Sequence, residues 1–207
     1  MQFDFTDAPA TLMLLLVNIL VSGYALFQDE SLIDRLGFQP RRIDEDGEFY
    51  RFITAAFIHG GFLHLAFNMY VLYEFGPILE YQLGTANFIV LYFGSLLTAH
   101  ALTYWFKRKK EAYNAVGASG AISGVVFALV LFAPSAKIYL FFALPMTMWL
   151  FAVLFVGISI YAMKKVEQGG SGGGIAHEAH LGGALGGVVL TILLEPGVLD
   201  NFIRQIF

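Results

Sequence analysis

HEAHLGGALGG, His177 to Gly187, lies at the start of the last long apolar run of the chain, about Ile175 to Leu194, which stops before Pro196. Gly182, Gly183, Gly186 and Gly187 give two overlapping G-x-x-x-G spacings. Small residues four apart line one side of a helix and let two membrane helices approach backbone to backbone. A second run is equipped in the same way. NAVGASGAISG, Asn114 to Gly124, places Gly120 and Gly124 four apart in a run from Ala115 to Ala133. The two helices best equipped to touch therefore carry His180 and Ser119.

The composition supports lipid as the solvent of these runs. The chain of 207 residues is 57% hydrophobic and only 14% charged, and its mean hydropathy is +0.68. Soluble domains run near half apolar and a quarter charged. There is no cysteine, so disulfides, cysteine nucleophiles and thiolate metal sites are excluded. The net charge of −4 is mild, and no nucleic-acid module accompanies it.

A helix needs about 20 apolar residues to cross the hydrocarbon. Six runs approach that length: about 8–27, 62–79, 86–106, 115–133, 146–163 and 175–194. The first follows MQFDFTD, which has no Lys or Arg, and lacks a small-residue cleavage site, so it reads as a retained helix. Pro145 is expected near the start of the fifth, because an interior proline breaks the backbone ladder. The expectation is an all-α membrane protein, one six-helix bundle over 1–207, since lipid-facing backbone must be satisfied internally. Gln28 to Tyr50 is a polar loop. FITAAFIHGGF, Phe52 to Phe62, reads as an interfacial or re-entrant segment, and GGSGGG, Gly169 to Gly174, as a mobile loop.

Strongly polar residues inside spans are expensive and call for a functional hypothesis. His64 and Asn68 are spaced i, i+4 and share one helical face. Ser119 lies between Gly117 and Gly120 near a helix start, where free N–H groups and the positive end of the dipole suit an oxyanion. Ordinary interhelical polar contacts and glycine packing would explain each feature taken alone.

Taken together, these motifs resemble the rhomboid family of intramembrane serine proteases over nearly the whole chain. GASG, Gly117 to Gly120, resembles the family's G-x-S-G nucleophile motif. AHLGGALGG, Ala179 to Gly187, with Gly183, resembles its A-H-x-x-G motif, and HGGFLHLAFN, His59 to Asn68, its H-x-x-x-x-H-x-x-x-N motif. Tyr50-Arg51 stands where the family usually has Trp-Arg, and Glu80 where a structural glutamate follows a glycine, here Gly76. The resemblance implies a serine endopeptidase, a hydrolase with Ser119 as nucleophile and His180 as general base. His64 and Asn68, with the Ser119 backbone N–H, would stabilise the oxyanion. Gly117 would shape the nucleophile turn, and Tyr50, Arg51, His59, Glu80 and Gly183 would be structural. The implied substrates are transmembrane proteins in the bilayer, with no cofactor, no metal and no nucleic acid, and the implied location is a bacterial-type cytoplasmic membrane. The fifth helix with GGSGGG is the expected gate.

The sequence also departs from the family pattern. Ser123 occupies a position where some members place a tyrosine against the histidine. Only His180 precedes the glycine pattern, so His177 is read as loop-borne, and Glu178 as facing the loop. Without an acidic third member, the reading is a dyad. A catalytically inactive client-binding relative and a small transporter are the alternatives, although the latter would favour intramembrane carboxylates or repeats. The orientation is contested by two criteria. Family topology puts the N-terminus in the cytoplasm and the site on the far side. Yet Arg35, Arg41, Arg42, Arg51, Lys107 to Lys110, Lys164 and Lys165, ten of the 12 basic residues, follow the first, third and fifth spans, which the positive-inside rule assigns to the cytoplasm.

Overall fold

The computed structural model describes residues 7–140, 143–167 and 176–206. The six apolar runs are helical: α1 (Pro9–Phe27), α5 (Phe62–Leu83), α6 (Thr85–Lys107), α7 (Ser119–Phe132), α8 (Met148–Glu167) and α9 (His177–Leu194). The loop after α1 folds into α2 (Ser31–Leu36), α3 (Pro40–Asp46) and α4 (Arg51–Thr54), and α10 (Val198–Ile206) ends the chain. Four helices, α1, α6, α8 and α9, are individually long and apolar enough to cross a bilayer. Residues Arg51–Phe57 and α5 reach that standard together, across a bend of 95°. The bend lies in the segment expected to be interfacial or re-entrant.

Helix α7 departs from its expected span. It begins at Ser119 instead of Ala115 because the preceding residues are extended. Ala115 pairs with Phe38, exchanging hydrogen bonds of 2.7 and 3.0 Å, and the Gly117 N–H donates to the Ala55 carbonyl at 2.9 Å. The remaining 14 residues rise only about 21 Å, against about 30 Å of hydrocarbon. Such a short helix must be shielded by its neighbours, and Gly120 through Leu131 are all buried. At its end, Asn201 and Gln205 of α10 donate to the Phe132 carbonyl, satisfying one of the orphan acceptors of a helix C-terminus.

The chain between α7 and α8 also differs from an all-helical expectation. Lys137–Leu140 (β1) and Leu144–Thr147 (β2) form an antiparallel ribbon with Lys137 opposite Thr147. Pro145 lies within β2, opposite Tyr139, and helix α8 starts three residues later.

Helix α9 packs by its glycines on two sides at once. A Cβ on Gly183 or Gly187 would collide with the backbone of Gly120 or Gly124 in α7. Gly182 and Gly186 instead face Ser95, Thr98 and Ala99 of α6. The α6 contact was missed from sequence, although Ser95 and Ala99 repeat the small-residue spacing. Helix α8 is the least embedded of the four, with 17% of its apolar window buried against 39–44% for the others. The GGSGGG loop lies outside the described residues.

Glu80 ties α1 to α5. Its Oε1 accepts from the Ala10 N–H at 3.0 Å and the Thr85 hydroxyl at 2.9 Å; its Oε2 accepts from the Thr11 N–H and hydroxyl, both at 2.8 Å. The carboxylate thus caps α1, where the free N–H groups and the dipole favour an anion.

Three substitutions test this packing by thermal unfolding in detergent. Gly183→Ala is expected to destabilise by about 1–3 kcal/mol through overpacking, whereas Gly157→Ala, whose Cβ meets open space, should leave the midpoint unchanged. Glu80→Ala leaves buried N–H groups unpaired at about 1–3 kcal/mol each, so its midpoint should fall clearly.

Candidate active site

The glycine contact between α7 and α9 brings Ser119 and His180 together. His180 Nε2 lies 2.8 Å from Ser119 Oγ. Ser119 is the first residue of α7, so the N–H groups of that turn have no intrahelical partner. Both side chains line a cavity of about 1090 Å³, into which His64 and Asn68 of α5 also point. Its remaining walls include Phe67 and Val71 from α5, Phe127 from α7, and Phe151 and Phe155 from α8. Asn68 donates Nδ2 to the His64 carbonyl at 3.0 Å and is otherwise turned to the cavity.

Gly117 is needed behind this group. Its φ is +112°, a conformation that side chains disfavour, and an added Cβ would lie 2.7 Å from His64 Cε1. His59 holds the same turn from beneath. The Ala118 N–H can only donate, so His59 Nε2, 3.4 Å away, accepts and Nδ1 carries the hydrogen. Nδ1 then donates to Ser22 Oγ at 2.8 Å, and Ser22 donates to the Phe57 carbonyl at 2.8 Å. A fully buried chain of bonds thus runs from α1 to the residue before Ser119. The ring of His59 meets that of His64 edge-on, with centroids 5.0 Å apart.

Arg51, 1% exposed, lies away from the cavity. Its Nη1 donates to the Asp34 and Gly37 carbonyls at 2.9 and 2.6 Å, closing the end of α2, and its Nε pairs with Glu48 at 2.6 Å. That hydrogen bond holds Glu48 below its ordinary value. The Tyr50 ring lies 5.5 Å from the Arg51 guanidinium, so an aromatic still packs on the arginine. Glu80 and Gly183 lie outside the cavity in the packing roles already described.

Two residues depart from their sequence reading. His177 is not loop-borne: it is the first residue of α9, half-buried and 6.2 Å from the His180 ring. Glu178 does not face a solvated loop. It is 3% exposed, accepts from the Tyr113 hydroxyl at 2.8 Å and lies 3.3 Å from Lys107 Nζ. Helix α9 begins earlier than the glycine pattern, and the residues before Ser119 close over it. Phe155, unnoticed in the sequence, sets its ring 5.9 Å from His180 at 30°. Ser123 instead donates to the Ser119 carbonyl at 2.8 Å. One aromatic among many in an apolar helix carries no signal of this contact. Among the described residues, no three His, Cys, Asp or Glu side chains are grouped to hold a metal ion.

A bundle of apolar helices with a serine–histidine pair on a cavity defines a multi-pass membrane protein. The family model described as the rhomboid domain matches residues 46–196, and the chain belongs to the rhomboid family. It is similar to the putative rhomboid protease YdcA of Bacillus subtilis, 35% identical over 153 residues, 72% of this chain and 68% of that one. Rhomboid protein 1, mitochondrial, of Saccharomyces cerevisiae is 33% identical over 150 residues, 70% of this chain, and rhomboid protease GluP of Bacillus subtilis 26% identical over 183 residues, 88% of this chain. The chain spans 42% of the yeast relative and 33% of GluP. The rhomboid domain and the apolar helices make the chain a multi-pass membrane protein.

Tyr113 provides a pH test. Burial first, then the charge and hydrogen bond of Glu178, raise its phenol above the ordinary value. A raised pKa contributes stability that is complete below the unfolded value of about 10 and is lost as pH rises beyond it. Tyr113→Phe should therefore flatten the fall in unfolding midpoint above pH about 10; a fall as steep as in the wild type would contradict the assignment.

Proposed function

We propose that this chain is an intramembrane serine endopeptidase working through a Ser119–His180 dyad. The observation that carries the reading is the 2.8 Å contact between Ser119 Oγ and His180 Nε2, facing a cavity shared with His64 and Asn68. In this reading 1–207 forms one domain and α1, α5, α6, α7, α8 and α9 all lie across the bilayer, with short α7 enclosed by the others.

The reaction is amide hydrolysis. His180 Nε2 accepts the Ser119 hydroxyl proton as Oγ attacks a peptide carbonyl. The tetrahedral oxyanion is met by the Ser119 N–H and by His64 and Asn68 acting as donors. His180 then protonates the leaving amine, and an acyl-enzyme remains on Ser119. A water gives its proton to His180, attacks the ester and releases the acid, restoring the serine. Water reaches the dyad through the cavity, since hydrocarbon offers none. Substrates are transmembrane segments that unwind locally and enter from the side. Helix α8 suits a gate because it is the least embedded span and supplies Phe151 and Phe155 to the cavity wall.

Wild type reconstituted with a model transmembrane substrate is expected to cut it and to react with a fluorophosphonate at Ser119. Ser119→Ala and His180→Ala should abolish cleavage. Asn68→Ala should lower kcat by about 10²–10³ through loss of an oxyanion donor. Cleavage surviving Ser119→Ala would sink the reading; no labelling of wild type would favour a client-binding relative.

A further inference from the structure

Helix α9 starts without a side-chain cap. Ala176 stands at the N-cap and no side-chain hydrogen bond closes the turn. Yet the first turn carries His180, which must stay 2.8 Å from Ser119 Oγ. The glycines of α9 that pack on α6 and α7 begin only at Gly182, and Gly120 of α7 reaches no further back than Ala179. An anchor is therefore needed on the N-terminal side of them.

Glu178 is the residue placed to supply it. Its Oε1 receives the Tyr113 hydroxyl at 2.8 Å and lies 3.3 Å from Lys107 Nζ, which also sits 5.8 Å from the Tyr113 ring centre. Lys107 ends α6, and Tyr113 belongs to the segment leading into Ser119. One buried carboxylate thus joins the end of α6, the approach to the nucleophile and the first turn of α9. It also sits beside the free N–H groups of that turn, where an anion is favoured. Two residues along a helix is a rotation of roughly 200°, so the carboxylate and the imidazole point to different sides. Glu178 therefore acts through the backbone it anchors, outside any hydrogen bond to His180.

We propose that Glu178, clasped by Tyr113 and Lys107, is a positioning residue that fixes the first turn of α9 against the segment preceding Ser119 and so holds His180 on the nucleophile. This inference rests on the hydrolytic reading of the dyad. A clasp of this kind affects alignment in the reacting state more than substrate binding, and a misplacement near 1 Å costs up to about 100-fold in rate.

The full chain in liposomes is assayed with a transmembrane substrate and a fluorophosphonate probe. Tyr113→Phe, which removes one hydroxyl and keeps the ring, and Glu178→Gln, which removes the charge, are each expected to lower kcat about 10-fold. KM should stay within about twofold, because Tyr113 and Glu178, which also line the cavity, are each replaced by a side chain of nearly the same size and shape. The double variant should be no slower than the slower single one, since both changes break the same bond. Lys107→Arg, which keeps a cation, should retain more activity than Lys107→Met. Wild-type kcat in both single variants, multiplicative effects in the double, or rates that fall only with the folded fraction would each overturn the proposal. A wild type that does not label at Ser119 sinks the hydrolytic reading and this inference with it. Labelled wild type with unchanged variants sinks the clasp alone.

Discussion

The backbone contact between α7 and α9 is the constraint on which the rest of the site depends. Gly183 rests on Gly120 and Gly187 on Gly124, with no room for a Cβ at either. In lipid there is no hydrophobic force between apolar helices, so close van der Waals packing must hold them. The same closeness brings two short polar side chains, Ser119 and His180, within hydrogen-bonding distance. Bulkier residues at this seam would separate the helices before any chemistry could be considered.

Around that seam, three buried polar side chains are held by several partners each. Glu80 accepts four hydrogen bonds, Arg51 makes three, and His59 links Ser22 to the Ala118 N–H. An unsatisfied group at such depth costs several kcal/mol, so each of these residues fixes two or three chain segments relative to one another. Glu80 sets α1 against α5. Arg51 closes the loop after α1, and His59 carries the order of that loop to the turn holding Ser119. These residues do not themselves line the cavity, yet they determine where its floor lies.

The polar residues that line the cavity were legible because lipid makes polar residues conspicuous. His64, Asn68, Ser119 and His180 stand out in apolar runs, and all four line one cavity. Glu178, Phe155 and the inner boundary of α7 were not legible. Glu178 reads as polar loop because it stands beside a glycine-rich stretch, and its burial depends on Tyr113 and Lys107, more than 60 positions away. Phe155 is one phenylalanine of 21, and nothing local distinguishes it from a lipid-facing one. The start of α7 moved because Ala115 pairs with Phe38, a main-chain bridge that side-chain patterns do not encode.

The sequence by itself determined that the chain lives in a bilayer, which runs become helices, which two helices meet by glycine, and which polar residues bear explanation. Those follow from hydropathy and from spacing at a period of 3.6, both local properties. The tertiary structure alone decided that α9 is gripped by α6 as well as by α7, and that Phe155 of α8 stands against His180. It also turned Glu178 from a loop residue into a buried clasp. Each of these is a contact between residues far apart in the chain, set by how whole helices dock, and no window of sequence contains both partners.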